Sequence, residues 1–353
     1  MTDYGNDRGT KKPMLLYLFR RGASLLFVLL GLAILIFVIA RIVPGDPARI
    51  ALGPMATPEQ VAELRLEMGL DQPFFAQLGT YLTNLAQGDL GKSLLTSRPV
   101  MDDILSALPA TFELVLFTII LQIIISIPLG ILAAVYRNTW VDNVIRVISL
   151  IGVVTPGFVL AILLQLSAAM YFGFFPITGR LDPSIVFDAD ITGLLLVDGV
   201  LKGRMDVVAD AMRHLFLPAI ALAMAGIGQI VRITRSAMIE VASRDFIEAS
   251  RAYGIPERVV RFRYMLRVAS VAPLTILGLE FASLIGNAFI VEFVFSWPGL
   301  ASYGVRTILQ KDLNAVIGVV LVSGVFFVIA NLTIDIILGM LDPRHRLREG
   351  RSK

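Results

Sequence analysis

Long uncharged stretches alternate with short charged ones along the chain. Gly22–Ala40, between Arg21 and Arg41, carries nineteen uncharged residues. At roughly 1.5 Å per residue that is a helix of about 28 Å, enough for the hydrocarbon core of a bilayer. Leu114–Tyr136 is a second run, and Val147–Gly179 a third that is too long for one upright helix. Pro156 predicts a kink near the middle of the third, and Pro176 and Gly179 its end. His214–Val231 is the fourth. The fifth, Val268 to about Phe295, is interrupted by Glu280 and Glu292, and the sixth, Leu313–Ile334, reaches Met340 if Asp335 is tolerated. The pattern predicts an all-α integral membrane protein with six transmembrane helices.

Composition agrees. Of 353 residues, 56% are hydrophobic and 17% charged, with a mean hydropathy of +0.77, against about 25% charged in soluble domains. The first run is too long for a signal-peptide core and lacks a small-residue cleavage site after it, so a retained first helix is expected. Lys and Arg set the orientation. With the N-terminus inside, 20 of the 31 basic residues fall in cytoplasmic segments, eight of them arginines between Arg232 and Arg267. Both termini are then cytoplasmic: tails at 1–21 and 342–353 flank a six-helix transmembrane domain at 22–341, with an extracytoplasmic helical segment at 44–110 and a cytoplasmic loop at 232–267.

Catalytic chemistry is not in view. Cysteine is absent, removing disulfides, thiolate catalysis and zinc–cysteine sites together. His214 and His345 lie too far apart in sequence to suggest a metal site. Gly91-Lys92-Ser93 imitates the end of a phosphate-binding loop, but the glycine required five positions earlier is Ala86. No catalytic residue, bound cofactor or metal is expected, and the modest net charge of +3 gives no reason to expect nucleic acid.

The loops carry more information. Thr57-Pro58-Glu59-Gln60 reads as an N-cap, a first-turn proline and a capping-box glutamine, with Gly69 as the stop. A second helix is expected from Pro73 to about Leu85. These two either cover the ends of the spans or form a docking surface. In the cytoplasmic loop, Ser243–Gly254 reads as a short helix with a serine cap and a glycine stop. Ile255-Pro256-Glu257 opens a second, followed by Arg258, Arg261, Arg263 and Arg267. The paired caps and the small Ala249 and Ala252 suggest a shaped surface for another protein.

At these residues the chain resembles the membrane permease subunits of ATP-binding-cassette importers: Glu248-Ala249, five residues before Gly254, is similar to their EAA signature. RIVPGDPARIALGPMATPEQ (41–60), GLDQPFFAQ (69–77), GDLGKSL (88–94), VEFVFSWPGL (291–300) and LDPRHR (341–346) resemble the dipeptide/oligopeptide/nickel branch, B-type subunit. TGLLLVDGVLKG (192–203) and RHLFLPAIAL (213–222) are similar to its dipeptide-type members. The resemblance implies a type I importer in the bacterial cytoplasmic membrane. A paralogous C-type permease, two ATPase subunits holding ATP and Mg, and an extracytoplasmic substrate-binding protein would be its partners. It further implies that Glu248, Ala249, Gly254, Ile255, Pro256 and Arg258 couple to an ATPase, and that di- or oligopeptides are the cargo. Nickel chelates and glutathione are alternatives. A stand-alone proton-coupled transporter is an alternative of a different class.

Two acids interrupt the fifth run. An ionisable group in a span costs roughly 2.5–3.5 kcal/mol on insertion scales unless it meets a cavity or a partner. Glu280, where the resembled family is often amide-like, is therefore expected to line a substrate path together with Asn287, seven residues on. Glu292, nearer the outer end, joins them as a path candidate with a structural or gating role. Asp335 and Asn331 are expected to pair within the bundle. Trp140 and Trp297 are expected at the interfaces.

Overall fold

The computed structural model describes residues 22, 26–39, 47–53, 55–67, 69–171, 173 and 175–341, the side chains at 47, 50, 51, 67, 169, 282 and 334–341 excepted. The basic tails, Arg41–Asp46, Met68, His345 and the pairing expected of Asp335 lie outside the described residues. Asn331 donates within its own helix to the Phe327 carbonyl at 2.9 Å.

The chain is helical: α1 (Leu26–Ile39), α2 (Pro47–Leu52), α3 (Pro58–Glu67), α4 (Phe74–Ala86), α5 (Val100–Val135), α6 (Trp140–Val154) and α7 (Gly157–Tyr171) come first. They are followed by α8 (Leu195–Leu201), α9 (Met205–Ala242), α10 (Asp245–Ala252), α11 (Glu257–Val259), a π turn at Val260–Met265, α12 (Leu266–Ala269), α13 (Val271–Val294), α14 (Leu300–Leu309) and α15 (Leu313–Leu341). Among the described residues three helices are long and apolar enough to cross a membrane, or five if each of two bent pairs is one span. Helices α5 and α9 extend well beyond their uncharged runs. A helix satisfies its backbone internally, so it continues into water where charged side chains begin.

Both bends have proline causes. Proline 156 lacks an N–H and forces the preceding Thr155 into extended backbone (φ −75, ψ 121), and the axis turns by 106° between α6 and α7. The expected kink is thus a turn sharper than a right angle. The 50° bend between 257–269 and 271–281 falls just before Pro273, which cannot donate back to the Ala269 carbonyl.

The chain divides into two compact units, one drawn from Met1–Asp102 and Thr307–Leu332, the other from Asp103–Arg306 and Thr333–Lys353. In the first, Ala33 and Ile36 of α1 and Leu321 of α15 form a buried cluster against Tyr81, Leu82 and Leu85 of α4. Helix α4 thus covers the two apolar helices. The α3 capping box forms as expected: Gln60 N donates to Thr57 Oγ1 at 3.4 Å and Thr57 N to Gln60 Oε1 at 3.0 Å. Gly91-Lys92-Ser93 belongs to a tight turn whose Ser93 hydroxyl donates to Asp312 at 2.6 Å. Its role is structural.

The second unit is built on α9, which packs against α6, α7, α8 and α13. A Cβ at Gly228 would collide with the Ser149 carbonyl, so glycine there sets how closely α6 and α9 approach. Small residues provide such contacts where burial from lipid offers no hydrophobic drive.

Candidate functional site

The loop after α9 forms a projecting knuckle. Ser243 does not cap α10; its hydroxyl donates to the Glu240 carbonyl at 2.8 Å and it ends α9. The N-cap of α10 is Arg244, with extended backbone and no capping side chain. The glycine stop is where the sequence put it. Gly254 takes φ +72, its N–H donates to the Arg251 carbonyl at 2.9 Å, and Ile255 N donates to the Ser250 carbonyl at 3.2 Å. This pair of bonds is a Schellman turn, in which the left-handed residue is most often glycine.

Helix α10 has two different faces. Ile247 is fully buried in a cluster with Ile131, Met238, Val241, Val260, Met265 and Ala269, and Ile255 packs against it. Glu248, Ala249, Gly254, Pro256 and Arg258 are exposed. Among the described residues neither the Glu248 carboxylate nor the Arg258 guanidinium has a partner. One apolar anchor holds the knuckle to the spans and leaves Glu248 and Arg258 free. The π turn at Val260–Met265, which the sequence reading missed, places Val260 and Met265 in the same anchor.

Above the knuckle lies an ion pair that sequence reasoning also missed. Arg235 of α9 meets the fully buried Asp142 of α6 with both prongs at 2.7 Å, and Asn138 N donates to the same carboxylate at 2.9 Å. Charges at the ends of uncharged runs were the available signal.

Of the path candidates, Glu280 is half-buried and Asn287 exposed. The Glu280 carboxylate has no hydrogen-bond partner among the described residues. Its Oε2 and the side chain of Gln122, from α5, converge on the notch left by Gly226, where a Cβ would clash with Gln122. Gln122 is fully buried; its Nε2 donates to the Ala223 carbonyl at 3.3 Å while its Oε1 has no partner. Asn287 does not reach this group.

Glu292, a path candidate with a structural or gating role in the sequence, makes structural contacts. It is fully buried and accepts from the Thr111 hydroxyl at 2.6 Å and from Ser302 N at 3.0 Å. Thr111 Oγ1 in turn accepts from Leu300 N at 2.7 Å. The carboxylate therefore ties α5, α13 and α14 together, and Gly299 is required because a Cβ there would strike it. Trp297 is completely buried, its Nε1 donating to the Ala110 carbonyl at 2.9 Å; Trp140 is exposed. Beside this knot Glu113 accepts from Arg180 at 2.7 and 3.1 Å and from Leu196 N at 2.7 Å.

Nearby, Asp198 is buried, which opposes its ionisation. Hydrogen bonds from the Thr192 hydroxyl and from the N–H groups of Thr192, Ile191 and Gly193 outweigh burial and hold its carboxyl below the ordinary range. Among the described residues no group of His, Asp and Glu is arranged to hold a metal.

Residues 126–347 match the family described as binding-protein-dependent transport system inner membrane component, and residues 14–115 match the N-terminal part of such components. A probable D,D-dipeptide transport system permease protein of Escherichia coli is 37% identical over 91% of this chain and 94% of its own. A dipeptide transport system permease protein of Alkalihalophilus pseudofirmus is 38% identical over 94% and 99%. A di/tripeptide transport system permease protein of Pseudomonas aeruginosa is 35% identical over 94% and 99%. With its long apolar helices, its knuckle and these matches across nearly its whole length, the chain belongs to the family of binding-protein-dependent transport system inner membrane components.

Proposed function

We propose that this chain is one of two permease subunits of an ATP-driven importer of di- and oligopeptides. It spans the bacterial cytoplasmic membrane six times with both termini inside. A paralogous permease completes the pathway, two ATPase subunits sit against the cytoplasmic face, and a substrate-binding protein delivers cargo from outside. The three relatives named above, each a peptide permease, support the cargo class.

The observation that carries the reading is α10. Its Ile247 face is fixed in the apolar cluster, and its Glu248–Ala249 face is exposed and without internal partners. The turn at Gly254 makes it a short rigid body. Such a helix passes a push from a partner to α9 and the π turn through packed side chains, whereas a flexible loop would absorb it. The chain has no nucleotide-binding motif, so the motion comes from the partner that holds ATP. Glu248 and Arg258 offer that partner charges of both signs. On the pathway side, Glu280 and Asn287 would line the route, the acid attracting a cationic peptide amino terminus, while Glu292 shapes the wall without facing it.

The deciding experiment compares the whole complex with the isolated chain in proteoliposomes. ATP-dependent uptake of a labelled dipeptide, requiring the binding protein and both ATPases, is expected. Uptake by the chain alone under a proton gradient would replace this reading with a secondary transporter. Competition by glutathione or a nickel chelate that outranks dipeptides would change the cargo and leave the mechanism.

A further inference from the structure

Three arginines from separate segments converge on one cavity beside the knuckle. The cavity has a volume of about 290 Å³ and is lined by Arg137, just after α5, Arg251 of α10 and Arg261 of the π turn, over an apolar wall that includes Val135, Met238 and Met265. One carboxylate answers these charges. Glu257 takes Arg251 at 2.7 Å and Arg261 at 3.0 Å, which leaves Arg137 without a partner among the described residues.

The C-terminal ends of α5 and α9 also border the cavity. Each helix terminus carries about half a negative charge, so together they offset about one guanidinium. Glu257 offsets another. About one positive charge remains, enough to answer a single monoanion. The cavity also lies at a particular depth: the uncharged run of α5 ends at Tyr136 and Arg137 follows directly, which is the level of lipid headgroups when α5 spans the membrane.

We propose that this cavity binds the phosphodiester headgroup of an anionic phospholipid, with the start of an acyl chain along the Val135–Met238–Met265 wall. Guanidinium groups suit this ligand because their planar donors match phosphate oxygens two at a time. Basic pockets at the cytoplasmic ends of spanning helices are suited to anionic headgroups. A soluble anion would have no use for the apolar wall, and an acidic side chain of a partner protein would not fill it. Met238 and Met265 also belong to the cluster that buries Ile247, so a lipid seated here touches the anchor of α10 directly. The inference rests on the membrane-spanning, cytoplasm-facing part of the reading above and is independent of cargo.

The test uses the complete transporter, with its ATPases and paralogous permease, stripped of lipid in detergent. Phosphatidylglycerol or phosphatidylcholine is titrated back, and bound lipid is counted by native mass spectrometry. One saturable site selective for phosphatidylglycerol is expected. The variant R137Q should weaken binding about fivefold, the scale of one basic residue at an anionic surface. R137K should keep most of it. Arg137 is exposed and unpaired, so R137Q should leave folding unaffected, and an unchanged melting temperature checks this.

Equal binding of the two lipids, or R137Q binding as wild type does, would overturn the proposal. Displacement by glycerol 3-phosphate at the same concentration as by lipid would also overturn it, because the site would then read phosphate alone. So would phosphatidylglycerol binding only after removal of the ATPases, which would give the cavity to a partner's carboxylate. Peptide uptake intact alongside any of these results would remove this inference and leave the proposed function standing.

Discussion

Two regions of the second unit, the knot around Glu292 and the exposed face of α10, use their carboxylates in opposite ways. In the first, Glu292, Glu113 and Asp198 are buried, and each accepts several hydrogen bonds from its own chain. In the second, Glu248 is exposed and accepts none among the described residues. A carboxylate fully satisfied inside the fold positions backbone and is unavailable to a partner. An unsatisfied one on a rigid helix is available. The contrast separates residues that shape the permease from residues that communicate, even though all four are acids in or beside helices.

The largest effect expected from breaking this contrast is at Glu292. Glu292→Ala strands the Thr111 hydroxyl and the Ser302 N–H and leaves a space in a site closed to water, and should cost about 3–5 kcal/mol. Thermal unfolding of the purified complex should show it as a lower melting temperature together with poor assembly. Glu292→Gln keeps an acceptor for Thr111 and should lose less than half as much. A Glu292→Ala protein as stable as wild type would mean the knot is not structural.

Next in size is the anchor of the knuckle. Ile247→Ala removes a fully buried side chain from the cluster beneath α10 and should cost about 2–4 kcal/mol. Because the cluster joins α10 to α9 and the π turn, uptake per ATP hydrolysed should fall along with stability. Gly254→Val puts a β-branched residue at φ +72, a conformation costing roughly 1–2 kcal/mol or more for such a side chain. ATP hydrolysis should then lose its dependence on loaded binding protein while the complex still reaches the membrane.

Glu248→Arg sharpens the comparison from the other side. With no internal partner to lose, stability should stay within about 0.5 kcal/mol, yet transport should uncouple from hydrolysis. Normal coupling in that variant would remove the communicating role from α10.

The smallest expected effect is a pH dependence at Asp198. Its carboxyl is held below the ordinary range when folded, so its contribution to stability is present above the unfolded value, about pH 4. That contribution is lost as pH falls through the folded value. Melting temperature followed downward from pH 6 should therefore drop more steeply for wild type than for Asp198→Asn, and parallel curves would exclude the linkage.

Much of this architecture was legible in the residues. Runs without charge marked where α5, α9 and α15 lie. Proline 156 marked a break, Thr57 and Gln60 a helix start, and Gly254 a turn that favours glycine. These features are local: backbone hydrogen bonding, φ restriction and capping act over a few residues, and the sequence carries them without help from the rest of the fold. The acids were another matter. Glu280, Glu292 and Glu248 are the same residue type, and two of them share one helix. Their neighbours Thr111 and Gln122 come from distant parts of the chain, as do Arg235 for Asp142 and the three arginines around one cavity. Whether a carboxylate is satisfied, free or facing a notch depends on long-range packing that brings particular donors within about 3 Å. Spacing along the chain does not encode that distance, so only the tertiary structure decided which acids hold the fold and which remain for a partner.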